Sequence, residues 1–166
     1  MTFNFEKYNK YIGWLVFTIA LVTYTLTLEP TVSFWDCGEY ISTSANLEVG
    51  HPPGAPLYQM LGAFFAMFAF GDVSQIAKMI NFMSALSSAF TILFMFWSIS
   101  ILTKKVLLKK GEVLTNGTAI AILGSALVGS LAYTFSDSFW FSAVEAEVYA
   151  MSSFLMALLF WLGLRW

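Results

Sequence analysis

The chain has 166 residues, of which 58% are apolar and 18% aromatic, and only 11% are charged, against roughly 25% in an average soluble domain. That composition excludes a disordered chain. The single cysteine, Cys37, excludes an intramolecular disulfide framework. A net charge of −2 gives no basic footprint for nucleic acid, and a mean hydropathy of +0.73 leaves too little polar surface for a soluble domain.

The chain therefore reads as an all-α membrane protein, and its elements can be taken in order. Lys7 and Lys10 precede an uncharged stretch, about 11–28, long enough to cross a bilayer. Its core is longer than that of a cleaved signal peptide, and its exit, Thr27-Leu28-Glu29-Pro30, has no small-x-small cleavage site, so it reads as a retained anchor. A long loop follows over 29–78. Asp36 and Glu39 carry the spacing of a capping box, which predicts a short interfacial helix over about 39–47 with Asp36 as its N-cap. His51-Pro52-Pro53-Gly54 then breaks the chain. Pro56 suits the first turn of a second short apolar helix, about 56–70, which is too short to span.

Three further spans are predicted over about 79–102, 115–136 and 148–165. Lys104, Lys105, Lys109 and Lys110 separate the first two of these, and Arg165 closes the last. If 56–70 does not cross, these cations share one side with Lys7 and Lys10, which the positive-inside rule makes cytoplasmic. Both termini are then cytoplasmic, and only Lys78 among the cations faces outward. The acids Glu29, Asp36, Glu39, Glu48, Asp72, Asp137, Glu145 and Glu147 collect outside. Aromatic residues cluster near the ends of the first and last spans, as interfacial belts do. In the third span Gly117, Ala121, Ser125 and Gly129 recur every fourth residue, a pattern for close packing against another helix. Asn116-Gly117-Thr118 reads as a turn before that helix.

Chemistry should reside in the outer loops. Acids flanked by Phe34 and Trp35 at a membrane surface are costly to desolvate and are functional candidates. Asp36 and Glu39 would share one helix face. Glu145 and Glu147 read either as a solvated helix start or as partners of Asp36 and Glu39 across a common cavity. Such a group could bind a divalent cation or raise the pKa of its own members. His51 reads equally as a structural hydrogen-bonder.

The acidic motif after the first span, the His-Pro-Pro-Gly loop and the short apolar helix together resemble the GT-C superfamily of membrane glycosyltransferases. Protein O-mannosyltransferases are the nearest comparison, and they also place a basic residue before a Ser-Ala-Leu stretch, here Lys78 and Ser84-Ala85-Leu86. Phe34-Trp35-Asp36-Cys37-Gly38-Glu39, Val49-Gly50-His51-Pro52-Pro53-Gly54 and Ala143-Val144-Glu145-Ala146-Glu147-Val148-Tyr149 resemble a bacterial multi-pass family grouped with those enzymes. The resemblance implies the N-terminal part of a larger inverting enzyme in the bacterial inner membrane. It would move a sugar from a polyprenyl-phosphate donor to a Ser/Thr hydroxyl of an acceptor protein on the outer face. It makes Asp36 the general base, with Glu39 as the second acid of the motif. Lys78 would lie by the donor phosphate, and His51, Glu145 and Glu147 would contact substrate. The family's two acids are adjacent, whereas here Cys37-Gly38 separate them. The competing reading is a non-enzymatic transporter part or assembly scaffold. The uncharged interiors of the four predicted spans argue against a transporter.

Overall fold

In the computed structural model, residues 4–108 and 112–166 are described, and among them all regular structure is helical. The helices are α1 (Phe5–Leu26), α2 (Cys37–Asn46), α3 (Pro56–Ala66), α4 (Val73–Leu107), α5 (Asn116–Thr134), α6 (Asp137–Ala143) and α7 (Val148–Arg165), with a 3₁₀ turn, Met67–Ala69, after α3. Three of them, α4, α5 and α7, are long and apolar enough to cross a membrane. The first predicted span corresponds to α1. At 22 residues it is long enough, about 33 Å at 1.5 Å per residue, but Glu6, Lys7, Asn9 and Lys10 in its first turns make it less apolar than the other three. The α3 helix, at 11 residues, is apolar and short.

The centre of the bundle is α4, against which every other helix packs. Its 35 residues extend about 52 Å, well beyond a hydrocarbon core of roughly 30 Å. Lys78, Lys104 and Lys105 accordingly lie on the helix itself and not in flanking loops. Lys109 and Lys110 lie outside the described residues. The helix starts on Asp72, whose side chain accepts from the Ser74 N–H at 2.9 Å, a normal N-cap. It carries a dense buried face, including Ala85, Ala89, Ile92 and Phe96, where small residues admit the neighbours closely. Gly13 brings α1 against Trp97, with room for no Cβ. Tyr24 is fully buried and donates from its hydroxyl to the Thr134 carbonyl at 2.9 Å, tying α1 to α5.

The α5 helix begins at Asn116, so Asn116-Gly117-Thr118 forms its first turn and not a turn before it, because Thr115 caps the helix by accepting from the Thr118 N–H. Its small-residue stripe does not face the bundle. Gly117, Ala121 and Ser125 are exposed, and the buried face is Ala119, Ile122, Leu123, Ala126 and Ser130. Two residues correspond to about 200° around a helix, so the stripe points nearly opposite to the contact. Only Gly129 approaches α4, where a Cβ would stand 3.0 Å from Ile99 Cδ1.

At one end of the bundle, α2, α3 and α6 cover the ends of the long helices. Gly62 of α3 packs onto Ser44 of α2, where a Cβ would meet Ser44 Cβ at 2.7 Å. Gln59 of α3 also donates to Thr43 Oγ1 of α2 at 3.1 Å. The α6 helix was not anticipated. It runs from Asp137 and is anchored by Trp140, whose indole N–H donates to Thr27 Oγ1 beyond the end of α1 at 2.8 Å.

The Gly62→Ala variant should lose about 1–3 kcal/mol by overpacking. Gly163→Ala, where a Cβ meets nothing within 4 Å, should be neutral or slightly stabilising. Thermal unfolding of both in the same detergent checks this; equal midpoints would contradict the α2–α3 contact.

Candidate active site

The segment after α1 is held by its backbone. Asn81 of α4 is fully buried and donates from its amide to the carbonyls of Glu29 at 2.7 Å and Thr31 at 2.9 Å. The Glu29 N–H donates to the Val144 carbonyl at the end of α6, at 3.1 Å. These bonds bring the start of α2 against the α6–α7 joint. Trp35 takes a left-handed φ of 60° immediately before Asp36, turning the chain into α2, a conformation that costs a non-glycine residue free energy.

The expected capping box does not form. Asp36 precedes α2, but its carboxylate makes no cap hydrogen bond. Glu39 turns away from the helix start toward the loop that follows. There the His51 N–H donates to Glu39 Oε1 at 2.6 Å, and His51 Nδ1 lies 2.8 Å from Glu39 Oε2. A bidentate grip on the loop outcompetes the reciprocal cap because it satisfies two donors with both carboxylate oxygens. The His51 N–H and ring hold the Glu39 carboxyl below its ordinary range, and Glu39 in turn raises the His51 pKa. Gly50 makes this approach possible, since a Cβ there would lie 2.9 Å from Glu39 Oε1. The Pro52–Pro53 bond just beyond is cis.

Glu145 and Glu147 are buried, at 2% and 5% exposure, and so do not form a solvated helix start. Both carboxyls are shifted upward, chiefly by burial. Hydrogen bonding from the Ser33 side chain opposes the shift at Glu145. At Glu147 the backbone N–H groups of Asp36 and Val148 oppose it, while the charges of Glu145 and Asp36 add to it. Val148 begins α7, so Glu147 sits at the N-terminus of that helix, where its dipole favours a negative charge.

Asp36, Glu39, His51, Glu145 and Glu147 thus form one electrostatic group. His51 feels Asp36 and Glu147 as well as Glu39, and Tyr40 feels Glu147, Asp36 and Glu39. Cys37, fully buried among them, has its thiol pKa pushed up by desolvation. Asp36 alone of the acids around the joint is exposed, and Glu39 is part-exposed. Lys78 is exposed on α4, and among the described residues no hydrogen bond or ion pair joins it to the acids. Asp137 is exposed at the start of α6, and its charge is not among those that shift the members of the group. Among the described residues, no three acid, histidine or thiol groups converge closely enough to hold a metal ion.

Sequence reasoning passed over Ser33, Gly50 and Asn81. The Asn81 amide inside the apolar run of α4 was the legible signal, because a lone amide there needs partners.

The model of the family described as protein O-mannosyl-transferase TMEM260 N-terminal domain matches residues 36–166. The chain is 27% identical, over 90% of its length, to the protein O-mannosyl-transferase tmem260 of Dictyostelium discoideum. It is 29% identical, again over 90% of its length, to the protein O-mannosyl-transferase TMEM260 of Mus musculus. It spans 16% and 19% of those two proteins. No solved structure matches. The chain belongs to this protein O-mannosyl-transferase TMEM260 N-terminal family.

The Glu39–His51 pair has a defined pH window. The contribution of Glu39 is complete above its ordinary pKa of 4.5 and is lost as pH falls through its lowered value. That of His51 is complete below 6.5 and is lost as pH rises through its raised value. The pair therefore stabilises the loop most between pH 4.5 and 6.5. In Glu39→Gln the ring of this single histidine should titrate at a lower pH, back toward 6.5, as an NMR titration of its Cε1–H would show. An unchanged midpoint would contradict the pairing.

Proposed function

We propose that this domain carries the base-bearing half of a membrane glycosyltransferase site of GT-C type, with Asp36 as the general base. The observation that carries the reading is the position of Asp36. It is the exposed carboxylate of a group whose remaining members are either buried or committed to His51. Asp36 is thus the acid free to meet a substrate, and its backbone N–H favours the charged form of Glu147.

In this reading the donor is a sugar on a polyprenyl phosphate, and the acceptor is a Ser or Thr hydroxyl of a protein. The donor rests on the resemblance alone, whereas the protein acceptor is also supported by the relatives being protein O-mannosyl-transferases. Asp36 takes the hydroxyl proton as the acceptor oxygen bonds to the anomeric carbon. The bond from that carbon to the phosphate oxygen breaks with its electron pair, and the configuration inverts. Lys78 meets the charge developing on the leaving phosphate. Among the described residues it is the one lysine or arginine at this end of the bundle, which supports that role. Glu39 and His51 hold the loop edge of the site, and the buried Glu145 and Glu147 form its floor beneath Asp36.

In this reading α1 is the first of four spans, both ends of the chain are cytoplasmic, and the acidic end of the bundle faces outward. The gathering of lysines at the opposite end supports that orientation. Location in a bacterial inner membrane rests on the resemblance to the bacterial multi-pass family.

Asp36→Asn in the full-length protein should reduce transfer by about 10²–10⁴-fold, the usual share of a general base, with membrane insertion unchanged. Asp36→Glu should retain part of the activity. Glycosylation of acceptor proteins in membranes from a strain carrying each variant measures this. Normal transfer by a stably inserted Asp36→Asn protein would remove Asp36 as base and favour a scaffold.

A further inference from the structure

The end of the bundle opposite the acids holds a cavity of about 640 Å³. It is a wedge left where α1 and α7 both lean on α4. Its wall is aromatic: the Trp97 ring lies 6.2 Å from that of Trp14 and 5.4 Å from that of Trp161. Its mouth carries Lys10 and Arg165, with Asn9 between the helices.

The charges there are unbalanced. Glu6, the one acid lining the wedge, is paired with Lys104 at 3.2 Å. Neither Lys10 nor Arg165 has a carboxylate partner among the described residues. The Arg165 guanidinium lies 5.0 Å from the centre of the Trp161 ring, which holds it over the aromatic wall and leaves its N–H groups to a ligand. Asn9 is braced by α4. Its side-chain oxygen accepts from Ser100 at 2.8 Å, and its carbonyl accepts from the Trp97 indole at 3.3 Å. The amide N–H₂ of Asn9 is not used in either bond.

A mouth with two unpaired cations and a wall of three indoles suits an amphiphile with an anionic head. Indoles settle at the level of lipid head groups, and basic pockets between membrane helices bind anionic head groups at that level. We propose that this wedge binds the phosphate head group of an anionic phospholipid. Lys10 and Arg165 contact the phosphate, and Trp14, Trp97 and Trp161 enclose the glycerol and the first acyl carbons. The site is independent of the acidic site at the other end.

The test uses the full-length protein in detergent with dioleoyl phosphatidylglycerol and dioleoyl phosphatidylcholine at equal concentration, read by native mass spectrometry. Phosphatidylglycerol should be retained preferentially. Lys10→Gln with Arg165→Gln should cut its retention about tenfold or more, as loss of two phosphate-facing cations implies. Lys7→Gln with Lys105→Gln removes the same charge outside the wedge and should leave retention nearly intact. Lys10→Arg with Arg165→Lys keeps both charges and should also retain the lipid, which separates binding from folding. Equal losses in the two Gln pairs, or equal retention of phosphatidylcholine, would overturn the proposal. Displacement of the lipid by inorganic phosphate at constant ionic strength would also overturn it, assigning the wedge to a free anion.

Discussion

Burial of two carboxylates at the α6–α7 joint is the constraint on which the rest of this end of the molecule depends. Glu145 and Glu147 are nearly sealed from water, and a buried carboxylate must either find donors or give up its charge. A segment distant in sequence lies against them: the Glu29 N–H donates to the Val144 carbonyl at 3.1 Å, and the Ser33 side chain and the Asp36 N–H favour the charged forms of Glu145 and Glu147. The chain leaving α1 is therefore drawn across the start of α7. Asn81, gripping the carbonyls of Glu29 and Thr31 from below, holds it there. Asp36 occupies its position because its neighbours satisfy other groups.

The long helices make this arrangement affordable. A 35-residue α4 gives the surface helices α2 and α3 a wall beyond the depth of the bilayer, while Gly62 and Ser44 let those two helices close on each other. The opposite end of α4 carries Trp97, whose indole faces both α1 and α7. One helix thus frames two chemically unlike places, an acidic site above and an aromatic, cationic wedge below.

Much of this was legible in the sequence. The last helix spans the residues expected, Val148–Arg165, because uncharged length is a direct consequence of membrane burial. The two short helices of the long loop follow from Pro56 and from the His-Pro-Pro-Gly break. Orientation around a helix axis was not legible. In α5 nearly every position is apolar or small, so nothing in its periodicity separates the buried face at Ala119 and Ile122 from the exposed stripe at Gly117 and Ala121. The capping box failed for a related reason: Asp36 and Glu39 have the right spacing, but His51, twelve residues beyond Glu39, offers that carboxylate better donors. Burial of Glu145 and Glu147 depends on α6, whose seven residues lie between two longer helices and carry no separate signal.

The central claim is that the α6–α7 joint grips the segment before α2. Cysteines at position 33 and position 145, as Ser33→Cys with Glu145→Cys in a Cys37→Ser background, test it in native membranes. Mild oxidation should close a disulfide between them in most molecules, detectable as protection from thiol labelling that dithiothreitol reverses. The control pair Asp137→Cys with Ser33→Cys, on an exposed residue of α6 outside the group, should stay reduced. Free thiols at 33 and 145 after oxidation, in protein that is inserted and stable, would show that the two segments do not meet and would contradict the account.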